Sequence, residues 1–442
     1  MKSFLAVAAV AFAFTACARP APPALKGDPF AARARAAGAT DVVATAAPGG
    51  GTILDGTLEG RQFALAIPHD WNGEALLMAH GYSPPGSPVA VARDPLADDP
   101  SLGLLPRAYA EGVAVGHSAY DKAGVGVETG ANNTLRLKRF LDRLGARRVY
   151  VAGGSMGGNI VMALIEDHPH EFAGAVTACG VDTGWEEEIG WLINLRAVYN
   201  YFTKGTPYAL PGSHDLAVSG VGIEPPVALI GKPWQLVQIW RVARPVAALF
   251  KAAQARPDGP EAVLVKKIAA LGETQPEPAS LIIPLLTVTT GMDDMQATFG
   301  GVVAGNAGRV YRSDLLSPAE NAALNRDIQR IATDPKAVAY ADLWHRARGD
   351  FSTPLVTVHN AVDPLVPYAQ AKTLGETVAK AGNGARLIQF TTSPVATPLP
   401  GTGLSGLTHC GFTKAQTGAA WDVLHRWVET GLRPAPTTLP AQ

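Results

Sequence analysis

A five-residue run, Gly153-Gly154-Ser155-Met156-Gly157, constrains this chain more than any other feature. It stands between an apolar stretch, Arg148 to Ala152, that reads as a strand and a stretch, Met156 to Asp167, that reads as a helix stopped by Pro169. A Gly-x-Ser-x-Gly turn between strand and helix holds its serine in a strained backbone and lifts the hydroxyl to the top of a sheet. Its flanking glycines are required because side chains there would collide with the strand or the helix. Ser155 is therefore the candidate nucleophile.

A serine hydroxyl is a poor nucleophile until a base takes its proton, and that base must be held in one tautomer by a carboxylate. The expected chain order after such a turn is serine, acid, histidine. Asp363, in Val362-Asp363-Pro364, follows the apolar stretch Pro354 to His359 and is the candidate acid, with Asp182 as the alternative. His409 lies in the loop Gly406 to Phe412 ahead of the last helix and is the candidate base. His80-Gly81-Tyr82 ends an earlier strand, where the backbone N–H of Tyr82 joins that of Met156 as a candidate pair of oxyanion donors.

Around these residues, strands and helices alternate in short units, which calls for a mostly parallel sheet covered by helices on both faces. Thr52 to Glu59 and Arg61 to Pro68 read as an opening antiparallel hairpin about Gly60. The rhythm breaks from 182 to 350, where apolar residues recur at helical spacing; this is read as a helical cap inserted into an α/β core made of residues 49–181 and 351–442. Its aromatics, Trp185, Trp191, Trp234 and Trp240 among them, are expected to form mostly the cap's own core.

Taken together, these motifs resemble the α/β-hydrolase superfamily, and the resemblance covers both core segments. Cys179-Gly180 and His409-Cys410-Gly411-Phe412 are similar in style to secreted bacterial serine esterases of the feruloyl esterase and tannase kind. Those enzymes pair a cysteine directly before the nucleophile with one after the histidine, but position 154 here is Gly. Since His409 has to approach Ser155, and Cys179 ends the strand beside the one carrying Ser155, a substitute Cys179–Cys410 disulfide is expected. Two buried free thiols are the alternative.

At the other end, Lys2 precedes an apolar stretch, Phe4 to Phe14, too short for the about 20 residues a bilayer span needs, so residues 1–17 read as an export signal. Phe14-Thr15-Ala16-Cys17 resembles the bacterial lipobox, which implies a lipid on Cys17 and attachment to the outer membrane or cell surface; ordinary cleavage at Ala16-Cys17-Ala18 would give a periplasmic or secreted protein instead. Residues 18–48, rich in Pro and Ala, are expected to be a flexible tether.

With 37 Lys and Arg against 38 Asp and Glu, no positive field exists to attract nucleic acid. Neither Cys-x-x-Cys nor His-Glu-x-x-His occurs, so no metal site is expected, and a Ser-His-Asp triad needs no cofactor. The activity implied is hydrolysis of a small-molecule carboxylic ester through an acyl-enzyme. A serine peptidase or amidase, with Glu186-Glu187-Glu188 as a hint of an amine site, and an acyltransferase are the alternatives, ahead of a non-catalytic binding protein.

Overall fold

Strands β1 (Thr40–Ala46), β2 (Thr52–Leu58) and β3 (Arg61–Ile67) form an antiparallel meander that leads into the parallel strands β4 (Glu74–Ala79), β5 (Ala114–Ser118), β6 (Arg148–Gly154), β7 (Gly174–Ala178), β8 (Leu355–Asn360) and β9 (Leu387–Thr392). The spatial order of this nine-stranded sheet is β1-β2-β3-β5-β4-β6-β7-β8-β9. A short hairpin, β10 (Ala396–Leu399) and β11 (Leu404–Leu407), stands apart from it. The computed structural model describes residues 23–97, 99, 101–221, 234–344, 346–435 and 438–440. The expected export signal and Cys17 lie outside the described residues.

Every residue of β4 is buried, as expected of a central strand covered on both faces. Successive side chains then serve different cores. Leu77 and Val151 pack toward helices α3 (Val127–Leu144) and α4 (Met156–Asp167), after α1 (Pro29–Ala36) and α2 (Leu104–Ala110) in the chain. Leu76 and Tyr150 pack the opposite way with Leu105 of α2 and with Trp421 and Leu424 near the C-terminus. All described residues considered, no helix is long and apolar enough to cross a membrane.

Between β7 and β8 come α5 (Trp185–Thr203), α6 (Trp234–Ala255), α7 (Pro260–Leu271), α8 (Pro278–Phe299), α9 (Pro318–Asp327) and α10 (Pro335–Leu343). After β8 follow α11 (Ala369–Lys380) and, beyond the hairpin, α12 (Lys414–Thr430). Helix α8 packs on α5, α6 and the hairpin strand β11. The Glu277 side chain caps α8 by accepting from Ala279 N (3.0 Å), and it also accepts from Leu407 N of β11 (3.2 Å).

The expected tether from 18 to 48 is corrected by the structure from Pro29 onward. Ordered elements begin at Pro29, and β1 extends the sheet back to Thr40. Asp28 caps α1 through Ala31 N (2.9 Å) and accepts from Thr52 Oγ1 of β2 (2.8 Å), while Ala31, Ala34, Val42 and Ala44 are buried. A Pro- and Ala-rich composition concealed the period-two burial of Val42 and Ala44, and small alanines let α1 lie close to the sheet.

Candidate active site

Ser155 sits at the junction of β6 and α4 with φ 56° and ψ −125°, a conformation that costs a non-glycine residue on the order of 1–3 kcal/mol. The turn is held by Ser155 N donating to Ala178 O (3.1 Å), and Ser155 O accepts from Gly158 N (3.0 Å) and Val181 N (3.1 Å). A Cβ on Gly153 would stand 2.2 Å from Gly157 O, and one on Gly157 would stand 2.1 Å from Ala79 O, so both positions exclude any side chain. Met156 opens α4, which aims the unpaired amides and the positive end of the helix at this turn.

Asp363 lies just past β8, its side chain fully buried. Oδ1 accepts from Leu365 N and Val366 N (2.9 Å each) and from His409 Nδ1 (2.8 Å), and Oδ2 accepts from Cys410 N (3.0 Å). Burial works to raise its pKa, but the charge and hydrogen bond of His409, with the Cys410 amide, outweigh that and hold it below the usual carboxylate range. A carboxylate can only accept, so His409 carries its proton on Nδ1 and leaves Nε2 as the basic nitrogen.

His409 Nε2 lies 3.5 Å from Cys410 Sγ, and Cys410 is joined to Cys179 in a disulfide with Cα atoms 5.3 Å apart. A ring nitrogen of His409 and the two sulfurs all lie within 4.8 Å of one another; because the sulfurs are bonded to each other, they offer no thiolate to a metal. A Cβ on Gly154 would stand 4.0 Å from Cys179 Sγ. The bridge therefore ties the histidine loop to the residue that follows β7, next to Ala178, whose carbonyl accepts from Ser155 N.

Asp182, the alternative acid, does not meet His409. It is buried beneath Gly158 and Gly180, where Oδ2 accepts from Thr177 Oγ1 (3.0 Å), Oδ1 has no partner among the described residues, and burial raises its pKa to about 7. His359 donates from Nε2 to Val366 O (3.0 Å) and supports the acid's loop.

The His80–Tyr82 loop packs on the Ser155 turn, since a Cβ on Gly81 would stand 3.5 Å from Ser155 Cβ. Tyr82 turns its ring away toward α8, where its buried hydroxyl lies 2.8 Å from where a Cβ on Gly291 would be. Glu188, in the first turn of α5, is the member of the acidic triplet that turns inward. It is buried, its Oε2 has no partner among the described residues, and burial, then the charge of Asp363, raise it well above the carboxylate range. Nothing in an acidic triplet marks which member turns inward.

Residues 133–217, which run from within α3 through β6, the Ser155 turn, α4 and β7 to beyond α5, match the family described as the alpha/beta hydrolase fold. No curated protein matches the chain in sequence. Among solved structures it is similar to an esterase from Aspergillus oryzae, at 12% identity and TM-score 0.44 over 89% of this chain and 81% of that one. It is also similar to feruloyl esterase B from Aspergillus oryzae, at 14% identity and TM-score 0.41 over 92% and 91%. A third likeness is to the rice cell wall degrading esterase LipA from Xanthomonas oryzae, at 14% identity and TM-score 0.37 over 80% and 82%.

Proposed function

We propose that this chain, which has the α/β-hydrolase fold, is an exported serine hydrolase that cleaves carboxylic esters through an acyl-enzyme. The observation that carries the reading is the His409–Asp363 pair, its basic nitrogen held by the disulfide beside the turn on which Ser155 is strained. Ser155 Oγ attacks the ester carbonyl as His409 Nε2 takes its proton. Asp363 keeps the ring in the Nδ1–H tautomer and stabilises the imidazolium. The tetrahedral oxyanion accepts from Met156 N and Tyr82 N, each donor contributing about 3–4 kcal/mol in comparable sites. Collapse returns the proton to the departing alkoxide, and water then repeats the sequence on the acyl-Ser155 ester.

Helices α5 to α10 act in this reading as a cap beside the site. Trp185 donates to Asn159 Oδ1 of α4 (3.1 Å) and Trp191 to Gly272 O (3.0 Å), so these aromatics serve the cap's own packing and its seat on the core. Against the peptidase alternative stands the pairing of Glu186 and Glu187 with Arg346, which leaves only the buried Glu188 of the triplet for an amine. Lipid attachment at Cys17 completes the proposal as an anchor at the cell envelope.

The deciding experiment is labelling by a fluorophosphonate serine probe together with hydrolysis of p-nitrophenyl esters of graded chain length, comparing the natural chain with Ser155→Ala. Labelling and turnover present in the former and lost in the latter are expected. Folded natural protein that neither labels nor turns over would overturn the reading in favour of a binding protein.

A further inference from the structure

We infer that His80 and Tyr120 form a brace that sets the Gly81–Tyr82 peptide as an oxyanion donor, a positioning role that rests on the ester-hydrolase reading above. A peptide group is planar, so fixing its carbonyl fixes the direction of its N–H. The carbonyl of Gly81 and the N–H of Tyr82 belong to one peptide. His80 Nδ1 lies 2.9 Å from that carbonyl oxygen, and since a carbonyl only accepts, Nδ1 carries the proton and donates. This hydrogen bond holds the oxygen and polarises the same peptide, strengthening its N–H as a donor on the opposite side.

The imidazole needs its own support, and Tyr120 supplies it twice. Its ring stacks on His80 with centroids 3.6 Å apart and planes 13° from parallel. Its hydroxyl donates to the carbonyl of His80 (3.0 Å), which fixes the preceding peptide as well. Tyr120 is itself buried, on the segment joining β5 to α3. That segment is tied to the oxyanion loop again by Gly124 N donating to Ser83 O (2.8 Å), and to α8 by Val125 N donating to Asp294 Oδ2 (2.8 Å).

The protonation state suits the task. His80 keeps some exposed area, yet the atoms packed around it desolvate the ring and push its pKa down to about 4, with the Gly81 carbonyl opposing and His117 adding to the shift. The ring is neutral through the neutral range and keeps the one tautomer that donates to Gly81. Two soft links, a loop glycine and a part-exposed ring, thus become a rigid donor beside Ser155, where misplacement by about 1 Å can cost about 100-fold.

The test measures kcat, KM and the inhibition constant of a trifluoromethyl ketone, whose adduct with the serine places an oxyanion in the same hole. His80→Ala is expected to lower kcat by roughly 10- to 100-fold with KM little changed and to weaken the ketone in parallel, a fraction of the loss of a whole donor. His80→Asn, whose amide nitrogen stands near the place of Nδ1, should restore most of this. Tyr120→Phe keeps the stack, removes one hydroxyl and should give a smaller loss of the same kind. The brace is overturned if His80→Asn is as poor as folded His80→Ala, or if Tyr120→Phe and His80→Ala both keep the natural kcat and ketone affinity. Should His80→Ala not fold, Tyr120→Phe decides alone through the same two constants. Loss of labelling in the natural chain, by contrast, would strike the ester-hydrolase reading and not the brace.

Discussion

Two histidine–carboxylate pairs stand at opposite ends of the parallel strands. Past the carboxyl end of β8, Asp363 accepts from His409 at 2.8 Å; at the start of β4, Glu74 meets His425 Nε2 at 2.7 Å. The contacts are alike, but their surroundings are not. His425 has its other nitrogen 3.3 Å from Glu111, stacks on Trp421 with centroids 4.8 Å apart and belongs to α12, so both ring nitrogens are tied. His409 has one nitrogen tied and one facing the disulfide beside Ser155, on a loop. A histidine moves protons only where one nitrogen is left for the substrate, and in open parallel sheets that place is the carboxyl end of the strands.

The largest effect should come from breaking each pair in turn. Asp363→Asn should lower kcat by about 10⁴-fold by letting the ring take the wrong tautomer, with the fold retained. Glu74→Gln should leave kcat within about twofold, since no reacting atom lies at that end. Ester turnover on samples matched for folded fraction checks both. Equal losses in the two variants would erase the distinction drawn between the pairs.

Next in size is the bridge that only one pair possesses. The Cys179–Cys410 disulfide closes a loop with sequence separation 231, and loop-closure entropy gives it roughly 5 kcal/mol. Reduction should lower the thermal midpoint, but turnover should fall at lower reductant concentration than helix content, because the bond ends on the residue next to His409 and far from His425. Turnover and far-ultraviolet circular dichroism, followed along one reductant series with thiols counted by mass after alkylation, check this. Full turnover in reduced, folded protein would show that the bridge serves stability alone.

How far these features were legible follows from the range of the interaction behind each. The Ser155 turn is local, since its strand, glycines and helix all lie within a short run of sequence. Asp363 and His409 could be sought through chain order, and the structure joins them. Cys179 and Cys410 could be paired only through the resemblance and the expected strand neighbours, and the structure joins these too. The Glu74–His425 contact spans 351 positions and carries no motif, so it was silent. Tyr120 was silent as well, because a tyrosine after a strand announces nothing until it stacks on His80. In the acidic triplet, successive residues point about 100° apart around α5, which sends Glu188 inward and leaves Glu186 and Glu187 to Arg346; the sequence gives no phase to choose among them. Strand β1 was hidden by composition, its two buried positions being too few to stand out beside the prolines and alanines around them.

The smallest effect is the one that shows what the Glu74–His425 pair is for. Burial works to raise Glu74, but His425 and Arg148, the latter at 3.0 Å, outweigh it and hold the carboxyl below its ordinary 4.5. Burial likewise works to lower His425, but Glu74, with Glu429 and Glu111 behind it, raises the imidazole above its ordinary 6.5. Tyr150 and Asn72, each 3.5 Å from a Glu74 carboxylate oxygen, also face the pair. A depressed acid contributes stability above its unfolded value and loses it as pH falls through the folded one; a raised base contributes fully below its unfolded value and loses it as pH rises through the folded one. The contribution is therefore greatest between about pH 4.5 and 6.5 and declines on the alkaline side. His425→Gln keeps a neutral donor while removing the charge, so it should cost on the order of 1 kcal/mol near pH 5.5 and much less near pH 9, with kcat unchanged at both. Urea midpoints at the two pH values check this. A cost that stays constant would mean that packing on Trp421, and not charge, is what the histidine supplies.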